Sequence, residues 1–351
     1  MTSPLTPQDI RDLRAAQPQM RERDFARIHK ISEAQLVAAF VGQNATRLKI
    51  DIAVLLEGAK SLGTVMALTR NESAVHEKIG PYEKVHVGAH NAMVLGEQID
   101  LRIFQRKWIS GFAVTKQTDD GPRHSMQFFD AAGDAVHKIH LRPESDKDAY
   151  DGLVAKLLNE DQSQFQDCEP VPDIEAVDAA RPQADADALR SAWSKLTDTH
   201  QFFGMLRDLN LPRHQALQMA GPDYVRPVET DAVAAMFDMV KHSGVPIMAF
   251  VGNTGCIQIH SGPIHKTAMM GPWLNVMDET FHLHLRTDHI VSAYVVRKPT
   301  SDGFVTSLET YDENGKLIIQ FFGKRVEGHD ERPLWREALG SLPTLAQNAA
   351  A

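Results

Sequence analysis

Residues 60 to 142 return, without a gap, 182 positions further along the chain. Lys116-Gln-Thr-Asp-Asp-Gly121 falls on Lys298-Pro-Thr-Ser-Asp-Gly303, Gly80-Pro81 on Gly262-Pro263, and Asp130-Ala-Ala-Gly133 on Asp312-Glu-Asn-Gly315. A constant offset over that length marks an internal duplication. Two copies are too few for a solenoid, so the expectation is a duplicated domain whose halves pack on each other. The copies differ at a few chemically telling positions. Arg102 aligns with His284 and His76 with Gln258, while the segment around Gln35 matches that around Gln201 and so sets Ala34 against His200. Function is expected where the copies diverge.

Each copy opens with helical periodicity, over residues 32 to 40 and 50 to 61 in the first and 187 to 208 and 230 to 242 in the second. Strands follow: Thr64-Val-Met-Ala-Leu-Thr69, Ile99-Asp-Leu-Arg-Ile103 and Trp108-Ile-Ser-Gly-Phe-Ala-Val114 carry the alternation or the β-branched and aromatic content of a sheet. The turns Asp130-Ala-Ala-Gly133 and Asp312-Glu-Asn-Gly315 each join two such runs, with a glycine free to take a positive φ. Consecutive hairpins predict an α+β tandem repeat of two antiparallel β-sheets flanked by helices, with the helices of each copy on one side of its sheet.

At 351 residues and 43% hydrophobic content there is room for two ordinary globular cores. The net charge of −9 is almost all local, because residues 159 to 187 hold nine acidic side chains and one base, Arg181, a charge of −8. That stretch also carries Pro170, Pro172 and Pro182, so the expected layout is an N-terminal repeat over 1–158, an acidic linker over 159–187 and a C-terminal repeat over 188–351. The remainder is close to neutral, with no basic stripe for nucleic acid and no cationic amphipathic helix or apolar span for stable membrane insertion. Cys168 and Cys256 lie far apart and read as free thiols of a reducing compartment, which points to the cytoplasm.

The sequence lacks GxSxG, a P-loop, HExxH, CxxC and a strand-linked GxGxxG, so nothing speaks for a hydrolase or a nucleotide enzyme. What remains is sixteen histidines and a set of placed basic side chains, a combination suited to a ligand with a borderline metal and peripheral carboxylates. His200, in Leu196-Thr-Asp-Thr-His-Gln-Phe-Phe203, follows the candidate caps Thr197, Asp198 and Thr199 and would sit in the first turns of a helix. Read alone, it is by default a satisfied, half-buried histidine, and by itself it decides nothing. Arg102 lies on the polar side of Ile99–Ile103 and His282 and His284 on that of the matching strand. The HxH pair can bind zinc, although no third ligand is marked by spacing. Arg213, Lys298 and Arg325 read singly as surface charges and as a group could clamp carboxylates.

The strings Thr69-Arg-Asn-Glu-Ser-Ala-Val-His76, Asp100-Leu-Arg-Ile-Phe104, Asp198-Thr-His-Gln-Phe-Phe203, Gly252-Asn-Thr-Gly-Cys-Ile-Gln-Ile-His260 and Tyr311-Asp-Glu-Asn-Gly315, in this order within a duplicated frame, resemble the HemS-like haemin-degrading and haem-transport proteins of the bacterial cytoplasm. The resemblance covers nearly the whole chain. It implies haem held in a cleft between the repeats, with the iron on His200 and Arg102 as the catalytic donor across from it. The propionates would meet Arg213, Lys298, Gln320 and Arg325, with Phe322 as a wall of the pocket. Some relatives have a second haem site, which His76 would match. Two functions are implied. One is oxidative opening of haem to a linear tetrapyrrole with iron release, fed by an external electron donor or reductase. The other is a non-enzymatic chaperone that receives haem from a transporter and hands it to a separate haem oxygenase.

Overall fold

The computed structural model describes residues 5–170, 185–324 and 333–345. The chain divides into two compact units. The first comprises Met1–Arg70, His76–Val171 and Gly252–Gln258, and the second Asn71–Val75, Pro172–Val251 and Ile259–Ala351. The strands form two antiparallel sheets flanked by helices.

In the first unit, β1 (Ala45–Leu48), β7 (Ser110–Thr118), β8 (Gly121–Phe129), β9 (Ala135–Leu141) and β2 (Val65–Arg70) pair in that order. A three-stranded run, β4 (Val85–Val87), β5 (Asn91–Leu95) and β6 (Asp100–Phe104), completes it. The second unit repeats the plan with β10 (Val225–Val228), β16 (Ser292–Thr300), β17 (Gly303–Tyr311), β18 (Leu317–Gly323) and β11 (Ile247–Gly252). Its three-stranded run is β13 (Thr267–Met270), β14 (Trp273–Met277) and β15 (Phe281–Arg286).

The duplication extends to irregularities. Gly133 and Gly315 both adopt positive φ and close their turns on Asp130 and Asp312. A break in register precedes each turn, at Phe128/Phe129 in one unit and at Thr310/Tyr311 in the other.

Helices cover both faces of each five-stranded run, where the alternation predicted one. In the second unit Val233, Phe237 and Trp335 pack on Val295, Leu308 and Phe321 from one side. Leu189, Trp193, Phe202 and Leu217 pack on Val296 and Tyr311 from the other. Residues Val305 to Tyr311 are therefore buried without a break, so polar side chains there lie inside the protein. In the first unit Leu55 and Tyr150 meet Met126 and Phe128, while Ala34 and Ala38 meet Phe112 and Phe129 on the other face.

Two further expectations change. The periodic stretch 187–208 is two helices, Ala186–Ser194 and Gln201–Asp208. The side chain of Asp198 takes the backbone N–H of His200 at 2.7 Å, which offers the chain an alternative to continued helix. The start of the acidic stretch is tied down on the first unit. The Arg47 side chain donates to Gln166 Oε1 at 2.7 Å and to the carbonyls of Phe165 and Ser163 at 2.7 and 3.1 Å, while its backbone N–H donates to Gln162 Oε1 and its carbonyl accepts from Gln162 Nε2. Residues 171–184 of that stretch lie outside the described residues.

Candidate functional site

The covered face of the second unit's sheet gathers an unusual set of polar groups. Tyr294, Glu309, Gln320 and Phe250 lie side by side across β16, β17, β18 and β11, with Val296, Ser307, Phe322 and Met248 in the row two residues away. Glu309 is wholly buried. Its Oε1 accepts from Arg213 Nη2 at 2.7 Å, Lys298 Nζ at 2.9 Å, Gln320 Nε2 at 3.0 Å and the Ser307 hydroxyl at 2.8 Å. Its Oε2 accepts from Arg213 Nε at 3.0 Å and the Tyr311 hydroxyl at 2.7 Å. Burial by itself would raise this carboxyl, but the charges of Arg213 and Lys298 outweigh it and hold Glu309 well below the usual carboxylate range. Burial lowers the Lys298 ammonium, opposed by Glu309, and raises the Tyr311 phenol.

Two short helices close over this group. Arg213 opens the helix Arg213–Ala220 just after Pro212, and its guanidinium reaches Glu309 and the Tyr311 hydroxyl on the sheet. Phe202, buried in the helix Gln201–Asp208 and packed edge-on to Trp193 with ring centres 4.9 Å apart, lies under both cations, 5.2 Å from the Arg213 guanidinium and 4.7 Å from the Lys298 ammonium. Those contacts fix the helix whose cap position is His200.

His200 itself is in water, its side chain 93% exposed, and its Nδ1 is 2.7 Å from Asp198 Oδ1. A carboxylate there takes the Nδ1 proton and leaves the Nε2 lone pair outward, the arrangement found behind metal-bound imidazoles. Three residues on, Phe203 is 63% exposed with the Arg213 guanidinium 5.4 Å from its ring centre. An outward imidazole, an exposed ring and a buried cation pair thus share one end of the second unit. Phe322, half-buried on β18, meets Phe250 edge-on at 5.0 Å.

The structure therefore brings together His200, Arg213, Lys298 and Gln320, with Phe322 one register row away. Arg325 lies outside the described residues. Arg102 is in the first unit, partly exposed on β6 opposite Met93 of β5, and ion-paired with Asp100. His76, on Ala74–Gly80, has no exposed surface, so an imidazole there cannot meet haem unless its surroundings open.

His282 and His284 project from β15, and His284 Nδ1 lies 2.6 Å from Asn275 Oδ1. Among the described residues no group of three His, Cys, Asp or Glu side chains gathers to hold a metal, so the zinc reading finds no third ligand. A cavity of about 510 Å³ in the first unit, lined by Leu5, Ile10, Ile28, Phe165 and others, contains none of the candidate side chains. Sequence reasoning missed Glu309. The signal was present, since copy one has Gln127 at the matching position and β17 sets Ser307, Glu309 and Tyr311 on one face, between flanking strands that carry a lysine and a glutamine.

No helix among the described residues is long and apolar enough to cross a membrane, and both cysteines are free. The family model described as "Haemin-degrading HemS.ChuX domain" matches residues 30–157 and 210–342, once in each copy. The chain is 40% identical to the "Hemin transport protein HmuS" of Yersinia pestis over 330 residues, 94% of each chain. It is 43% identical to holo-PhuS, a haem-binding protein from Pseudomonas aeruginosa, with a TM-score of 0.92 over 97% of this chain and all of that one. ChuS, described as an E. coli haem oxygenase, superposes with a TM-score of 0.87 at 36% identity, covering 95% of this chain and 99% of that one. With both halves of the duplication matched and most of its length shared with these relatives, the chain belongs to the HemS family of haemin-degrading HemS.ChuX domain proteins.

Proposed function

We propose that this chain binds haem in the cytoplasm during haem uptake, through His200 Nε2 on the iron, and opens the ring oxidatively to a linear tetrapyrrole with release of iron. The observation that carries the reading is the exposed imidazole of His200, held at Nδ1 by Asp198 and set one helical turn from Phe203, the ring against which Arg213 of the Arg213–Lys298 pair lies. Neutral imidazole is a good axial ligand, an exposed aromatic ring suits the porphyrin face, and buried cations suit a propionate. Arg213, Lys298 and Gln320 are the carboxylate contacts, Phe322 an apolar one, and Arg102 the guanidinium donor during oxygen activation. Electrons come from an external reductase. Free thiols suit the reducing compartment this assigns.

A second reading is a carrier that passes haem to a separate oxygenase. It is favoured by the transport names of the Yersinia relatives, as the enzyme reading is by the name given to ChuS.

The test is haem titration of the wild type and His200→Ala. The wild type is expected to bind one haem per chain, and the variant to show a displaced Soret maximum and faster haem loss. Unchanged spectra and off-rates would remove His200 from the ligand role.

A further inference from the structure

The two cations expected to meet a carboxylate of the ligand already hold one of the protein's own. Arg213 and Lys298 share Glu309, and Gln320, Ser307 and Tyr311 spend a hydrogen bond on the same two oxygens. Two positive charges on one negative leave a single positive charge over, in a group where Glu309 is wholly buried and Lys298 is 4% exposed. A surplus charge in such surroundings is costly and is relieved by one anion at its open side. Copy one differs at this spot, with Gln127 and Lys138 in the places of Glu309 and Gln320, so the arrangement is particular to the second unit.

We propose that Glu309 is the positioning residue of this site. It holds Arg213, Lys298 and Gln320 in place before ligand arrives and sets the surplus at one charge, so the site selects a ligand that offers it one ionised carboxylate. The ligand's identity rests on the haem reading; the positioning role does not.

A merely structural glutamate would satisfy buried donors and no more, and Glu309→Gln preserves much of that shape while removing the charge. In Glu309→Gln, Lys298 faces Arg213 from the helix above, with Ser307 and Tyr311 on the neighbouring strand and Gln320 on the strand beyond, and no anion is left among these groups. Its ammonium, already disfavoured by burial, then loses its proton more readily as pH rises from neutral. His214, itself lowered by burial, stays neutral there.

The experiment measures the affinity of haem and of its dimethyl ester across pH. Wild type is expected to prefer the free acid by a factor that stays flat between about pH 6 and about pH 9, while Glu309→Gln loses about tenfold of that acid-over-ester preference over the span. The double variant Lys298→Met/Glu309→Gln restores a surplus of one and is expected to be flat again, with Glu309→Asp also flat but weaker. A flat Glu309→Gln profile with undiminished preference for the acid overturns the proposal and leaves the haem reading standing. A pH fall that persists in the double variant overturns it as well, because Lys298 is then not the group that titrates. If wild type fails to distinguish acid from ester, the carboxylate contacts of the haem reading fail first, and the proposal with them.

Discussion

His200 stands at the cap of a short helix and Arg102 in the middle of a short strand, and under the proposed function their chemistry would divide the work between them. An imidazole can give its lone pair to iron, whereas a guanidinium stays protonated near neutral pH and can only donate hydrogen bonds. Arg102 is paired with Asp100, whose carboxyl is raised by burial against the lowering effect of that arginine, so the guanidinium is held by a partner that neutralises easily. A donor that matters in oxygen activation more than in binding should show it in the kinetics. Arg102→Ala is expected to keep haem affinity within roughly tenfold, about 1.4 kcal/mol, while slowing ring opening much further. Equal losses in both, measured by titration and single-turnover absorbance, would make Arg102 a binding residue only.

Among the elements, the strand pair β2–β9 of the first unit carries a buried histidine that does no ligand chemistry. His137 Nδ1 lies 2.8 Å from the Thr69 hydroxyl and Nε2 2.6 Å from that of Tyr82. Burial, with a smaller effect of His140, pushes its pKa from 6.5 down to about 3. The folded protein thus resists a proton that the unfolded chain accepts. The stability from neutral His137 is fully present above about pH 6.5 and is lost as pH falls from there toward 3. His137→Gln should be less stable at neutral pH, with a shallower loss of urea midpoint between about pH 6 and about pH 4; an unchanged acid slope would show that His137 is not the group responsible.

Elements of this kind were legible where their pattern was local. The alternation of Thr64–Thr69 and the turn glycines placed β2 and both hairpins, and the offset of 182 placed their counterparts. What escaped was whatever depended on burial from the second side. Glu309 reads as a solvent-facing strand residue until helices are known to cover both faces, and the sequence does not tell that the candidate ligand His76 is fully buried. The cluster of Arg213, Lys298 and Gln320 was anticipated from the resemblance, since their spacing along the chain, from 213 to 320, says nothing about proximity.

For the whole molecule the open choice is between turnover and transfer. Haem loaded without oxygen and then given oxygen and a reductant, with catalase present to remove free peroxide, should lose its Soret band and yield a linear tetrapyrrole and iron. No ring-opened product from any electron donor, together with delivery of intact haem to an oxygenase, would leave the carrier function in place.

The exposure of His200 has a consequence for timing. An imidazole that stands in water needs no part of its own unit to move before it meets an incoming iron, so the first bond can form on encounter. Departure is another matter, because a carboxylate settled on cations that the fold has already desolvated and aligned must be pulled back into water. Under the proposed function, capture would then depend on the imidazole at the surface, and retention on that iron bond together with the cations held in the interior of the same unit.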